Sequence, residues 1–209
     1  MSEPVLLVEQ NEGVAELTLN RPQKYNALSR ELRKALVGAL YDLGGQHRPP
    51  VLILTGAGKA FTAGLDLKEL SETGISSGAD GDPPEIDVVR TMGAYPAPII
   101  GAVGGVAVTG GFEIALACDL LIASTEARFA DTHARVGILP GWGLSQRLPR
   151  LIGIGRAKEL SLTGNYIDAE AAERWGLVKR TLILNVLSAV DNADSPHATS
   201  KRQFQGARR

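Results

Sequence analysis

Thr109-Gly110-Gly111-Phe112-Glu113 sits between two apolar stretches, Ala97-Pro-Ile-Ile-Gly-Ala-Val103 before it and Ile114-Ala-Leu-Ala-Cys118 after it. The first stretch is compact, rich in branched side chains and bounded by Pro and Gly, which predicts a buried strand. Residues 112–118 predict a buried helix. Glycines at a helix start let the backbone come close to a ligand, and the first N–H groups there, unpaired within the helix, point at negative charge. Glu113 then falls in the first helical turn. An acid beside an anion-stabilising backbone suits enolate chemistry. A plainer reading is also open, in which the glycines only permit close packing and Glu113 only complements the helix dipole. On these five residues alone, the plainer reading prevails.

A second glycine-containing loop lies upstream, Gly58-Lys-Ala-Phe-Thr-Ala-Gly-Leu-Asp-Leu-Lys-Glu69. Phe61 reads as an anchor into the core. Ala63-Gly64 offers an exposed backbone N–H, and Asp66 opens a short helix over residues 67–70. Taken alone this is an ordinary strand-to-helix turn.

Between and around these loops the pattern alternates. Residues 5–8 and 14–19 predict strands joined through residues 10–13 as a hairpin. Ser29 is placed to cap a helix over residues 30–43, whose apolar positions Leu32, Ala35, Leu36, Ala39, Leu40 and Leu43 share one face. Residues 51–54, 120–123 and 127–130 predict further strands. Residues 86–92, 154–162 and 168–175 predict helices, as does the region following the glycines at 141 and 143. Residues 131–137 read as a polar loop. Residues 71–84, rich in Gly, Pro and Ser, read as a mobile segment that covers a site or simply varies. The fold class expected is α/β. No repeat of fixed period is visible in the sequence.

Composition narrows the function. The chain has 209 residues, suited to one domain or one domain with an appendage. The formal net charge is −1 and the pI near 6.3, which gives no electrostatic footprint for nucleic acid or an anionic membrane. One cysteine, Cys118, excludes an internal disulfide and fits a reducing compartment. The first residues lack the charged-then-apolar pattern of a secretion signal, and no apolar run approaches spanning length. The expectation is a cytoplasmic protein.

Four segments then occur in order: Asn20-Arg-Pro through Asn26-Ala-Leu28, Gly58 to Lys68, Gly104 to Asp119, and Gly137-Ile-Leu-Pro-Gly-Trp-Gly-Leu-Ser-Gln-Arg147. Together they resemble the enoyl-CoA hydratase/isomerase, or crotonase, family, over roughly residues 5–180. The resemblance implies a crotonase-like spiral of repeated β-β-α units and subunits that assemble as homotrimers or hexamers. It implies an acyl-CoA thioester as substrate, with no metal and no cofactor beyond the coenzyme A of the substrate itself.

It also gives the two glycine loops one shared role. The backbone N–H groups of Ala63 and Gly110 match the family's oxyanion hole, which holds the thioester carbonyl oxygen as enolate charge develops. Such donors contribute several kcal/mol, and losing one costs roughly 10²–10³ in rate. Glu113 matches the first catalytic glutamate of the family's hydratases. At the position of the second stands His133, with Asp131 two residues before it. The imidazole suits proton transfer; the alternative is that His133 and Asp131 line the pocket or make structural hydrogen bonds. Trp142 stands where the family commonly has a small residue and either reshapes the acyl pocket or packs the core. By resemblance, Lys24, Ala27, Ala60, Gly64, Asp66, Leu67, Lys68 and Gly111 line the substrate and coenzyme A groove.

The activity this implies is hydration of 2-enoyl-CoA to 3-hydroxyacyl-CoA in fatty acid metabolism. The alternatives are isomerase, decarboxylase or hydrolase chemistry through the same enolate, or a non-catalytic acyl-CoA-binding subunit. Two departures keep them open: His133, and a C-terminal region, residues 181–209, that reads as a short apolar segment and a polar tail where the family continues with helices.

Overall fold

The computed structural model describes residues 3–73, 83 and 85–182. Most of the Gly/Pro/Ser-rich segment (residues 74–82 and 84) and nearly all of the expected tail (183–209) lie outside the described residues.

Strands β1 (Leu6–Asn11) and β2 (Val14–Leu19) form the hairpin, with Leu6 opposite Leu19 and Asn11 opposite Val14. The turn is tighter than expected: Glu12 and Gly13 alone make it, with φ of 45° and 82°. Two positive-φ residues match the right-handed twist of the flanking strands. Helix α1 (Arg30–Gly44) starts where the Ser29 hydroxyl accepts the Leu32 N–H at 3.2 Å, and it buries Leu32, Leu36, Val37, Leu40 and Leu43. The predicted face is the buried one.

The chain then repeats one manoeuvre three times. Strand β3 (Val51–Gly56) joins a large sheet, β4 (Ala60–Thr62) a small one, and helices α2 (Leu67–Thr73) and α3 (Val88–Ala94) follow. Strands β5 (Ile99–Val103) and β6 (Val106–Val108) divide the same way before α4 (Gly110–Ala117). Strands β7 (Leu120–Ser124) and β8 (Arg128–Ala130) do so again before α5 (His133–Val136), α6 (Leu144–Ile152) and α7 (Ile154–Thr163). Strand β9 (Ile167–Asp168), helix α8 (Ala169–Arg174) and strand β10 (Arg180–Leu182) close the described chain.

The large sheet runs β1-β2-β3-β5-β7-β10 and the small one β4-β6-β8-β9. Every pairing from β2 onward in the large sheet is parallel, as are β4 with β6 and β6 with β8. This is the α/β spiral of β-β-α units. Strands β4, β6, β9 and β10 were not visible in the sequence, and the stretch expected to be a polar loop over 131–137 contains the one-turn helix α5. Phe61, the expected anchor, is fully buried, as are Phe112 and Phe129, whose rings lie 5.7 Å apart.

Successive turns of the spiral touch backbone to backbone. A Cβ on Gly111 would stand 2.1 Å from the Thr62 carbonyl oxygen, so the start of α4 rests directly on β4. Gly64, with φ of +87°, brings the next residues against the Gly110 nitrogen, which a Cβ on Gly64 would approach to 3.0 Å. The two glycine loops of the sequence are therefore in direct contact.

Gly111→Ala is accordingly expected to destabilise the fold by about 3 kcal/mol, because the obstructing atom is backbone and cannot swing away. Gly38→Ala, on the exposed side of α1 with no atom within 4 Å of the new Cβ, is expected to stabilise by about 0.5–1 kcal/mol. Urea unfolding of the two variants beside the parent checks both signs.

Candidate active site

Glu113 lies in the first turn of α4 and is only 2% exposed. Its Oε1 accepts the backbone N–H of Trp142 at 2.7 Å and of Leu144 at 3.1 Å. Those N–H groups come from the turn ahead of α6, where Gly143 adopts φ of +99°. With Oε1 held, Oε2 faces His133, whose Nε2 is 3.4 Å away.

His133 opens α5 and is 5% exposed. Its Nδ1 sits 2.7 Å from Asp131 Oδ1, and its backbone N–H donates to the same oxygen at 3.3 Å. Asp131 is 2% exposed, and the Ser161 hydroxyl of α7 lies close enough to favour its ionised form. The three ionisable groups thus form a buried line, Glu113–His133–Asp131.

Burial alone would lower the His133 pKa. Hydrogen bonds to Asp131 and Glu113, and the negative charge of both, outweigh it and push the imidazole up to about 9. Burial likewise opposes ionisation of Asp131, but the His133 hydrogen bond and the nearby Ser161 hydroxyl hold its carboxyl below the usual carboxylate range. At neutral pH His133 is an imidazolium between two acids.

Glu113, His133, Gly110, Ala63, Leu65 and Trp142 line one cleft of about 1080 Å³, whose apolar wall includes Leu28, Leu70, Val89 and Ile138. Asp131 does not line it: it stands behind His133 and is placed to act through the imidazole, not as an acid on a bound molecule. The Trp142 ring leans on Gly110, with Cζ3 3.1 Å from where a Gly110 Cβ would be, so this residue both packs and lines the cleft.

The expected pair of backbone donors is half corrected. Gly110 N–H, the first of α4, has no acceptor among the described residues. Ala63 N–H is already occupied: it donates to the Tyr25 carbonyl at 3.0 Å. The available donor on that loop is Leu65, which pairs with no acceptor among the described residues and lines the cleft. The neighbouring peptides on either side of Leu65 bond to Leu28, which leaves the Leu65 N–H turned the other way. Sequence reasoning also missed Ser161, since nothing in α7 marks it until the fold brings it to Asp131.

A smaller cleft of about 340 Å³ adjoins the first through Ala63, Leu65, Asp66 and Leu67, and adds Lys24, Ala27 and Lys68. Five of the predicted groove residues, Lys24, Ala27, Asp66, Leu67 and Lys68, meet there. Ala60, Gly64 and Gly111 line neither cleft. Ala60 is buried in β4, its carbonyl accepting from Asn26 Nδ2 at 2.8 Å, and the two glycines make the loop contact already described. Asp66 pairs with Arg21 at 3.0 Å. Burial raises the Asp66 pKa, but the Arg21 hydrogen bond and charge bring it below the ordinary range.

Residues 9–191 match the family described as enoyl-CoA hydratase/isomerase. The chain is 43% identical to the probable peroxisomal enoyl-CoA hydratase 1 of Arabidopsis thaliana, over 87% of this chain and 68% of that protein. It is 40% identical to the probable enoyl-CoA hydratase echA8 of Mycobacterium tuberculosis, over 87% of this chain and 70% of that one. The crystal structure of an enoyl-CoA hydratase from Mycobacterium tuberculosis superposes with a TM-score of 0.78 at 45% identity, covering 97% of this chain and 81% of that one. The enoyl-CoA hydratase from Bacillus anthracis gives 0.79 at 38%, covering 90% and 73%. The chain belongs to the enoyl-CoA hydratase/isomerase family. Among its described residues, no helix is long and apolar enough to cross a membrane.

The raised His133 pKa makes stability depend on pH. The folded state keeps the proton up to about 9, whereas an unfolded histidine releases it near 6.5. The stabilisation is fully present below about pH 6.5 and is lost as pH rises through about 9. Unfolding free energy measured by urea across pH 6–10 is expected to fall over that window, and His133→Gln is expected to flatten the fall.

Proposed function

We propose that the chain hydrates 2-enoyl-CoA thioesters to 3-hydroxyacyl-CoA, as an enzyme of fatty acid metabolism. The observation that carries this reading is the Glu113–His133 pair, open to a cleft whose rim presents the two unpaired N–H groups of Leu65 and Gly110. The names of the relatives point the same way.

In this reading the thioester carbonyl oxygen sits between the Leu65 and Gly110 N–H groups, which stabilise the enolate formed when oxygen adds to Cβ. Glu113 takes a proton from water as the water oxygen bonds to Cβ. His133, an imidazolium, delivers its Nε2 proton to Cα. Glu113 then carries the proton that came from water, and His133 lacks one. The 3.4 Å contact between Oε2 and Nε2 returns it, so the site resets with one water added and no net proton gained. Coenzyme A lies along the smaller cleft, with Lys24 and Lys68 beside its phosphates.

A purely binding role has less support, because a buried acid–base line is costly to assemble and a binder has no use for it. Exposed Leu139, Ile154 and Leu162 support assembly into trimers or hexamers. A cytoplasmic location rests on the sequence alone.

Purified protein is expected to consume the enone absorbance of a short 2-enoyl-CoA. Glu113→Gln keeps an oxygen for the Trp142 and Leu144 N–H groups but loses the base, and should lower kcat by roughly 10³. His133→Ala should cost roughly 10² or more. If the parent binds coenzyme A thioesters and leaves the enone untouched, hydration is the wrong reaction.

A further inference from the structure

Family hydratases pair two glutamates, and here the second position is an imidazole with an acid behind it. A histidine differs from a glutamate in needing its ring oriented and its tautomer chosen. Three observations bear on what does this. Asp131 is buried, does not line the cleft, and touches His133 at Nδ1, the nitrogen facing away from Glu113. Its Oδ1 also receives the His133 backbone N–H, so ring and main chain are fixed by one atom. The Ser161 hydroxyl of α7 lies beside the same carboxylate and favours its ionised form.

We propose that Asp131, with the Ser161 hydroxyl beside it, is a positioning residue that holds the proton on His133 Nδ1 and so presents Nε2, with its own proton, to Glu113 and the substrate. The logic is that of a carboxylate behind a catalytic imidazole, which fixes orientation and stabilises the cation without itself being protonated. Asp131 never meets the substrate. Its role as proton supplier's partner rests on the hydratase reading; its effect on the ring does not.

Two charged groups touch His133, and Arg30, Arg33, Asp66, Glu69, Asp87 and Arg90 line the same cleft from α1, α2, α3 and the loops beside them. Asp131 comes from the end of β8 and Glu113 from α4, and both favour the imidazolium. From α6, Arg147 lines the same cleft. From α7, Arg156, Lys158 and Glu159 are exposed and only the Ser161 hydroxyl reaches the line. On α5 itself, Arg135 turns away to the Thr163 carbonyl. With Asp131 neutralised, Glu113 alone would hold the imidazolium.

The test joins two readouts. Histidine ring NMR is recorded against pH for the full chain, Asp131→Asn and Ser161→Ala, with His133→Gln assigning the signal among the three histidines. Hydration of a short 2-enoyl-CoA is followed over the same range. In the parent, His133 is expected to titrate well above an ordinary histidine. Asp131→Asn should lower that midpoint by more than one pH unit and move the alkaline limb of kcat down with it. It should reduce kcat at pH 8 by roughly 10²-fold with KM within about twofold of the parent. Ser161→Ala should shift both readouts the same way by less. It decides alone if Asp131→Asn does not fold.

An unmoved His133 midpoint in the folded variants overturns the proposal, as does a loss of kcat uniform over pH, which a merely structural Asp131 would give. If the parent hydrates nothing yet the midpoint moves, the positioning role stands and the hydratase reading falls. If the parent hydrates and the midpoint stays, the positioning role falls alone.

Discussion

The architecture depends on a contact between two pieces of main chain. Thr62 ends β4 with its carbonyl against Gly111, where no Cβ could stand. Because α4 begins on top of that carbonyl, its first N–H, from Gly110, opens beside the loop that carries Leu65. Move the helix out by one methyl group and the two N–H groups separate, Glu113 leaves the Trp142 and Leu144 donors, and the cleft loses its floor. The stacking of successive β-β-α units is what makes that approach repeatable. The units built on β3–β4, β5–β6 and β7–β8 each lay one strand in each sheet, and the parallel run of β4, β6 and β8 brings their strand-to-helix loops to the same end of the small sheet.

The chemistry is held by charge alternation. Glu113, His133 and Asp131 follow one another as carboxylate, imidazolium and carboxylate, each less than 10% exposed. A buried charge without a partner is expensive, and a removed partner leaves the remaining one stranded. The line is therefore satisfied only as a whole. The outer ends are fixed by backbone donors, the Trp142 and Leu144 N–H groups at Glu113 and the His133 N–H at Asp131. Glu113 and His133 both face the cleft, while Asp131 stands behind them.

Much of this was legible in the sequence. The hairpin, the face of α1, the cap at Ser29 and the glycines at 110 and 111 follow from local pattern, because each is set by residues within a few positions of one another, whereas the candidacy of Glu113 and His133 came from the resemblance to the family. What was hidden depends on distant partners. Strands β4, β6 and β9 have three residues or fewer, too short for an alternating pattern to register, and they build the very sheet that carries the site. Ala63, the donor expected by resemblance, is occupied for the same cause. Ala63 and Leu65 sit in one loop, and only the Tyr25 carbonyl, arriving from a residue at φ of 51°, decides which N–H is taken. Asp131 looked like a possible acid because its place behind the ring depends on α7.

The order of the spiral along the chain is also the order of its synthesis. Leu65 belongs to the second unit, Gly110 and Glu113 to the third, His133 to the fourth, and Ser161 follows in the next helix. A chain emerging from the ribosome presents Leu65 first, then Gly110 and Glu113 almost together, and only afterwards His133 and the helix that carries Ser161. The parallel pairing of these strands makes each step wait for a segment many residues downstream. Glu113 is therefore made before any of the three groups it pairs with, Trp142, Leu144 and His133, has left the ribosome.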